Sequence, residues 1–357
     1  MELLRIELQA GTSTVIKGAG MNKLIPLTSM IGLKHKENTL DLVATDMTNT
    51  ILYEIKVEPD DKDFDVVVDA DLFSKLISKI TQDKIKLFVS DSELEIDADG
   101  TYKIPLIADE SGNVKFPVPD IEKYEAKSNI KLLDVKNIFD INKPALAKTF
   151  EVPSLTGYYI NDKTITSDSM TITFNDATIL DEPVLLPAQL INLLVLNNQE
   201  DIKVYRDQNK LAFSTDNVVI YSEIMDGISD FPATEISAYL DTKFPSMCKI
   251  PKDILLAVID RISLFIDPYD QNGITLNFAK SGSVIIQNKK VSGIETINFV
   301  GSENPTNFMC FADSEMLKTQ VEAMNDEVVE IWYGDENALK IKSNGVTQIL
   351  ALLEDEE

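Results

Sequence analysis

Val68-Asp69-Ala70-Asp71-Leu72-Phe73 reads as the opening of an amphipathic helix. The same opening returns at Leu186-Pro187-Ala188-Gln189-Leu190-Ile191, Ile250-Pro251-Lys252-Asp253-Ile254-Leu255 and Ala312-Asp313-Ser314-Glu315-Met316-Leu317. Each copy has an apolar residue, then Asp or Pro, a spacer, an acid or amide, and two large apolar residues. Asp accepts from the unpaired N–H groups of a first helical turn, Pro has no N–H to leave unpaired, and an early acid suits the helix dipole. The last two copies follow Met247-Cys248 and Met309-Cys310, so these cysteines hold equivalent strand positions and are not a bonded pair. Spacings of about 118, 64 and 62 residues leave one copy missing between the first two. Leu133-Asp134-Val135-Lys136, with Ile138 and Phe139, fills the gap, and the segment before Pro26 supplies a sixth. Six modules of about 60 residues make three domains of about 120.

After each helix come alternating, β-branched runs separated by turn residues, which predicts antiparallel strands buried on one face. Lys84-Ile85-Lys86-Leu87-Phe88-Val89, Glu93-Leu94-Glu95-Ile96 beyond an Asp91-Ser92 turn, and Val328-Val329-Glu330-Ile331-Trp332-Tyr333 are examples. Each module therefore reads as strand, helix and three strands, and the chain as an α+β protein with helices on one face of its sheets. Between Asp71 and Gln82 the residues Leu72, Phe73, Leu76, Ile77 and Ile80 form an apolar stripe opposite Ser74, Lys75, Ser78 and Lys79. Phe116-Pro117 and Phe231-Pro232-Ala233 close the second and fourth modules with steps suited to extended linkers. Domain limits fall near residues 124 and 244, giving 1–124, 125–244 and 245–357.

The totals agree with several modest cores, since 357 residues exceed the usual domain length two- to threefold. No apolar run is long enough to span a membrane, and the charges in Met1-Glu2-Leu3-Leu4-Arg5-Ile6-Glu7 break up any secretory signal. Two cysteines are too few for a disulfide framework or a zinc site, which fits a reducing cytoplasm. His35, in Lys34-His35-Lys36-Glu37-Asn38, reads as a polar hairpin-turn residue. The acidic end, Glu354-Asp355-Glu356-Glu357, reads as a solvated tail. A net charge of −26 excludes a protein that coats nucleic acid with its whole surface, because such affinity comes from basic side chains displacing counterions. The six helical segments, taken as 1–23, 67–84, 129–148, 186–199, 246–266 and 310–325, come to roughly +2, so the excess acid lies on strands and loops.

Further segments carry a family resemblance that spans the chain. They are Leu42-Val43-Ala44-Thr45-Asp46, Val66-Val67-Val68-Asp69-Ala70, Ile104-Pro105-Leu106 before Phe116-Pro117, Leu155-Thr156-Gly157, and Ile224-Met225-Asp226-Gly227 before Phe231-Pro232. In order and spacing they resemble the bacterial-type DNA sliding clamp, the β subunit of the replicative DNA polymerase. The resemblance implies three clamp domains of two βαβββ repeats each, helices lining a central hole, sheets outside, and a homodimeric ring around double-stranded DNA. It implies a replicative polymerase and a clamp loader as partners, no cofactor, no metal and no membrane. Two stretches depart from the family: Ser167-Asp168-Ser169-Met170-Thr171-Ile172 stands for Thr-Asp-Gly-His-Arg-Leu, and Leu350-Ala351-Leu352-Leu353 for Met-Pro-Met-Arg. The departures point to a phage or mobile-element member.

Three sets of residues follow from the resemblance. Lys75, Lys79, Lys136, Lys143, Lys148, Lys252 and Arg261 are the cations expected to face phosphates, with Asn22, Lys23, Thr149, Pro153 and Ser154 at loop positions that meet DNA in relatives. A partner-peptide pocket is expected from Leu155, Ser169, Met170, Thr171, Ile172, Pro232, Ile236, Gln348 and Leu350, with an altered peptide preference because the His-Arg pair is missing. Tyr102 and Ile104 are expected to meet Leu264 and Phe265 of a second subunit and close the ring. Each residue also has a plain alternative: a lysine solubilises a surface, and Leu155, Ile172, Leu350, Tyr102 or Phe265 fills its own core.

Catalytic patterns are lacking. There is no Gly-rich phosphate loop, nucleophile elbow or His/Cys cluster, and among 59 acidic residues carboxylate pairs arise by chance. The competing class is a monomeric, acidic, β-rich interaction or virion protein, including a DNA mimic. That reading spreads acid over every face, whereas the clamp reading clears it from the helices.

Overall fold

The computed structural model describes residues 1–20, 24–58, 62–109, 112–266 and 272–354. Six modules follow one another. The first is β1 (Glu2–Leu4), α1 (Arg5–Val15), β2 (Met30–Lys36), β3 (Thr39–Thr45) and β4 (Asn49–Lys56). The second is β5 (Phe64–Asp69), α2 (Ala70–Lys79), β6 (Lys84–Val89), β7 (Glu93–Asp97) and β8 (Thr101–Pro105). Short strands β9 (Ala108–Asp109), β10 (Gly112–Asn113) and β11 (Glu125–Ala126) lead to the third: β12 (Ile130–Lys131), α3 (Leu132–Asn142), β13 (Gly157–Ile160), β14 (Thr164–Ser167) and β15 (Thr171–Asn175). The fourth is β16 (Val184–Pro187), α4 (Ala188–Leu194), β17 (Asp201–Asp207), β18 (Lys210–Ser214) and β19 (Val218–Glu223), after which α5 (Ala233–Asp241) intervenes. The fifth is β20 (Ser246–Pro251), α6 (Lys252–Ser263), β21 (Gly273–Ala279), β22 (Ser283–Asn288) and β23 (Ile294–Asn298), followed by β24 (Gly301–Glu303). The sixth is β25 (Phe308–Asp313), α7 (Ser314–Glu322), β26 (Val328–Tyr333), β27 (Ala338–Ser343) and β28 (Val346–Ala351).

The helix openings work as their sequences require. Asp69 accepts from the Leu72 N–H at 2.7 Å and Asp313 from those of Glu315 and Met316, while Pro251 holds the cap position of α6. Helix α2 ends at Lys79, earlier than its apolar period suggests, because Ile80 turns to an extended conformation. Phe73, Ile77 and Ile80 are buried, whereas Leu72 is exposed, so the stripe is narrower than expected. Phe231-Pro232-Ala233 is not a linker. Pro232 caps α5, its carbonyl accepting from the Ile236 N–H at 2.9 Å, and proline at a helix start forfeits no hydrogen bond.

Within each successive pair of modules the first strands are exchanged. β1 pairs with β6 and β5 with β2; β12 pairs with β17 and β16 with β13; β20 pairs with β26 and β25 with β21. Last strands then join modules of different pairs, β4 with β19 and β15 with β28, over five residue pairs each. The last strands of the second and fifth modules, β8 and β23, end their four-stranded sheets.

The chain gathers into two compact units, residues 1–132 with 189–224 and residues 133–188 with 225–357. The first holds a four-stranded sheet, β1-β6-β7-β8, and a nine-stranded sheet containing the β4–β19 junction. Its small cluster of Val43, Val67 and Phe116 sets Phe116 on Gly32, where an added Cβ would stand 2.6 Å from the Phe116 Cβ. His35 belongs to this unit and is not a turn residue. The turn lies at Glu37, whose φ is 54°, and His35 on β2 is buried with Nδ1 2.9 Å from the Lys62 carbonyl oxygen. The second unit holds a nine-stranded sheet with the β15–β28 junction and a four-stranded sheet, β23-β22-β21-β25. Its main core packs Leu255, Val258, Ile259 and Ile262 of α6 and Leu317 and Val321 of α7 against both sheets. Cys248 and Cys310, at matching places on β20 and β25, are free thiols in that core, and burial pushes both up to about 12.

One turn is built twice. Thr45-Asp46-Met47-Thr48-Asn49 and Ser167-Asp168-Ser169-Met170-Thr171 each use the Asp carboxylate to accept two following backbone N–H groups. In each, the preceding hydroxyl donates to the carbonyl that ends the turn, and one residue, Met47 or Ser169, takes a positive φ of 80° or 77°. The stretch at 167–172 therefore retains the turn geometry while changing its side chains.

Candidate nucleic-acid interface and partner groove

On the six repeat helices, α1 to α4, α6 and α7, seven basic side chains stand against eight acidic ones, although the whole chain carries −26. Ion pairing divides the expected phosphate-facing cations. Lys79 and Lys136 are exposed with no carboxylate partner among the described residues, as are Lys143, whose Nζ lies 4.3 Å from the Phe139 ring centre, and Lys148. Lys75 pairs with Asp71 at 2.7 Å on the exposed side of α2, beside a groove of about 620 Å³ between α1 and α2 lined by Gln9, Ser13, Ser74 and Ser78. Lys252 does not face outward: its Nζ donates to the Glu322 and Met324 carbonyls at 2.9 and 2.5 Å, closing the end of α7. Arg261 is held by both oxygens of Glu295, at 2.7 and 2.6 Å. Ser154 is buried, and its hydroxyl donates to the Asp230 carbonyl at 3.2 Å, so it is no surface contact. Pro153 opens the same short turn and Thr149 is exposed, while Asn22 and Lys23 lie outside the described residues. Sequence reading missed Phe150, 79% exposed between Thr149 and Glu151, because a lone aromatic in a loop has no periodic context.

Three residues expected in the peptide pocket come together in a buried apolar core. Leu155, Ile172 and Ile236 share one apolar cluster with Phe231, Phe244 and Ile349 on the face of the β15–β28 sheet that α5 covers. Phe231 stacks on Tyr159 with ring centres 4.6 Å apart. Pro232 begins the covering helix, and Lys340, buried, pins its far end by donating to the Leu240 and Thr242 carbonyls at 3.0 Å each. Burial lowers the Lys340 pKa. Ser169 and Met170 lie exposed on the turn beside the cluster, where the Met170 carbonyl accepts from the Ala351 N–H.

Thr171, Gln348 and Leu350 do not join this face. Alternate strand residues point to opposite sides, and it is Ile172, Phe174 and Ile349 that point into the cluster. Leu350 packs in the α6–α7 core instead. Thr173, Asn175 and Gln348 belong to a buried polar seam, in which Thr173 donates to Gln320 of α7 at 3.2 Å and Asn175 to Asn142 of α3 at 3.0 Å. Gln348 is fully buried, and neither amide atom has a hydrogen-bond partner among the described residues. Gln348 and Leu350, the residues of the last strand expected in the pocket, thus lie on the opposite face of β28 from Ile349.

The residues expected at a subunit interface lie beside the free strand edges. Tyr102 is exposed on β8, but Ile104 is buried in its own sheet and contributes to that core. Leu264 and Phe265 are 82% and 51% exposed just after α6, near exposed Ile294 of β23, and Phe265 packs over Gly293. Among the described residues no group of three or more His, Cys, Asp or Glu side chains is placed to hold a metal, and no helix is long and apolar enough to cross a membrane.

Comparisons with known proteins agree with this architecture. No curated protein matches the sequence. The DNA polymerase sliding clamp of Bacillus subtilis is 17% identical, covers 99% of this chain and 98% of its own, and superposes with a TM-score of 0.87. The DNA polymerase III subunit beta of Pseudomonas aeruginosa is 16% identical with 99% of each chain covered and a TM-score of 0.86. The beta subunit from DNA polymerase of Streptococcus pyogenes gives 16%, 99%, 99% and 0.85. Residues 3–126 match the family described as DNA polymerase III beta subunit, N-terminal domain, and from end to end the chain has the fold of the bacterial sliding clamps.

Proposed function

We propose that the chain is a DNA sliding clamp without catalysis of its own: two copies form a ring around duplex DNA and tether a replicative polymerase and other DNA-handling proteins. Three domains, 1–124, 125–244 and 245–357, supply six modules per copy, and a separate loader opens the ring. The observation that carries the reading is the distribution of charge. Helices close to neutral in a chain of −26 give the protein one kind of surface that DNA can approach, and it is the surface made by the repeated element. Flexible lysines such as Lys79 and Lys136 contact phosphates without reading bases, so they offer little resistance to translation along the duplex.

Ring closure follows from the strand pattern. Last strands pair at both junctions inside the chain, leaving β8 and β23 at sheet edges. Pairing β8 of one copy with β23 of another repeats the same joint, and Tyr102 on one side and Leu264, Phe265 and Ile294 on the other supply apolar area beside it. A second copy joined at both edges closes the ring at two subunits. The altered side chains at 167–172 and 350–353 fit a phage or mobile-element member with its own partners.

The test is topological. Loaded protein should stay on closed circular DNA and run off when the circle is linearised; equal loss from both templates removes the mechanism.

A further inference from the structure

The two joints at which last strands meet are built on one plan and filled differently. The twin turns set the equivalence. Asn49 ends the first turn as Thr171 ends the second, so Ile51 on β4 corresponds to Thr173 on β15, and their partners across the joint, Ile220 and Gln348, correspond as well. In the first joint this central pair is apolar: Ile51 and Ile220 are both 2% exposed. The turn after α1 closes on it so tightly that a Cβ on Gly18 would stand 2.7 Å from Ile51, and one on Gly11 of α1 would stand 2.9 Å from Tyr53. In the second joint the central pair is polar and fully buried. Thr166, Thr173 and Gln348 form one row across β14, β15 and β28. The Thr166 hydroxyl donates to the Asn142 carbonyl at 2.9 Å and the Thr173 hydroxyl to Gln320 at 3.2 Å, whereas the Gln348 amide has no hydrogen-bond partner among the described residues.

We infer that the β15–β28 joint is a hinge, the place where the sheet yields when the ring is opened, and that the β4–β19 joint is its rigid counterpart. The inference rests on the chain forming a ring and adds where that ring bends. The backbone ladder is the same at both joints, five residue pairs each, so the difference lies in the side chains. Parting the apolar pair of the first joint exposes Ile51 and Ile220 to water and is opposed by the hydrophobic effect. Parting the polar row admits water to an amide that the closed joint leaves unpaired, which offsets part of the cost of opening. Local opening is therefore concentrated in the second joint, as in other proteins it is concentrated where buried apolar contact is poorest.

Hydrogen exchange on the whole chain, followed by mass spectrometry and corrected for intrinsic rates, tests this without DNA. Amides of β15 and β28 should be roughly tenfold less protected than those of β4 and β19. Gln348→Leu, which removes the unpaired amide, should raise protection of β15 and β28 several-fold and leave β4 and β19 unchanged. The same variant should slow the loss of loaded protein from closed circular DNA several-fold, because that loss requires the ring to open. Equal protection at the two joints overturns the hinge. So does a Gln348→Leu variant that gains protection at β28 yet leaves closed circles at the parental rate. Equal loss from circular and linearised DNA, with the exchange contrast intact, overturns instead the ring reading on which the hinge rests.

Discussion

A cation already engaged by a carboxylate or a helix end has little left to offer a phosphate, and this sorts the basic residues of the helix faces. Lys79→Glu combined with Lys136→Glu should weaken equilibrium binding to linear duplex DNA and flatten its salt dependence by about one slope unit per lysine removed, read from the affinity at increasing salt. Lys252→Ala should leave that affinity unchanged and destabilise the α7 end by about 1 kcal/mol in urea unfolding, because it removes the donor to two carbonyls. Asp41 supplies a pH test. It stands directly opposite Glu54 across β3 and β4, and burial, then Glu54, raises its pKa above the ordinary carboxylate value. The folded state therefore holds this proton more tightly than the unfolded chain, a contribution present in acid and lost as pH rises through the raised value. Asp41→Asn should be more stable than the parent at neutral pH, the gain vanishing toward roughly pH 3; a constant gain at every pH would refute the charge origin. None of this pairing was legible in the sequence, since Lys252 and Arg261 meet Met324 and Glu295 only through the fold. His35 was misread for the same reason: its neighbours are polar, but strand alternation turns it inward.

Elements were legible where local chemistry and period agree. Asp69 and Asp313 announce their helices, and β6 and β26 begin and end where alternation begins and ends. Helix α5 was hidden because a Phe-Pro step is equally good as a linker or as a helix cap, and only packing of Ile236 decides. The face of β28 was hidden because Gln348-Ile349-Leu350-Ala351 lacks polar alternation, so a one-residue shift costs nothing in pattern. The seam behind that strand is a weak point of the sheet. A buried amide with no partner costs about 1–3 kcal/mol, so Gln348→Leu should raise unfolding free energy by about 1 kcal/mol or more, and a loss of stability would mean the amide is satisfied.

For the whole molecule, the repeat was the most readable feature, because four copies of one helix opening and a weaker fifth reinforce each other through their spacing. Exchange of first strands and joining of last strands could not be read, since nothing local to β4 names β19. Assembly tests the free edges. Light scattering should give about 80 kDa, twice the 39.8 kDa chain, and Leu264→Lys with Phe265→Lys should return it to a single-chain mass without loss of helix content. A mass unchanged by the double variant would put the contact elsewhere.

The joining of last strands also bears on how the protein is made. Roughly 160 residues separate β4 from β19, and about as many separate β15 from β28. At ribosomal speeds of about 5–20 residues per second, the edge of β4 waits on the order of ten to thirty seconds for its neighbour. During that interval a nascent chain exposes an unsatisfied strand of Asn49–Lys56, which two chains on one message could pair by mistake. Overproduction at low temperature, where elongation slows further, should therefore favour tangled aggregates over soluble protein unless a chaperone shields that edge.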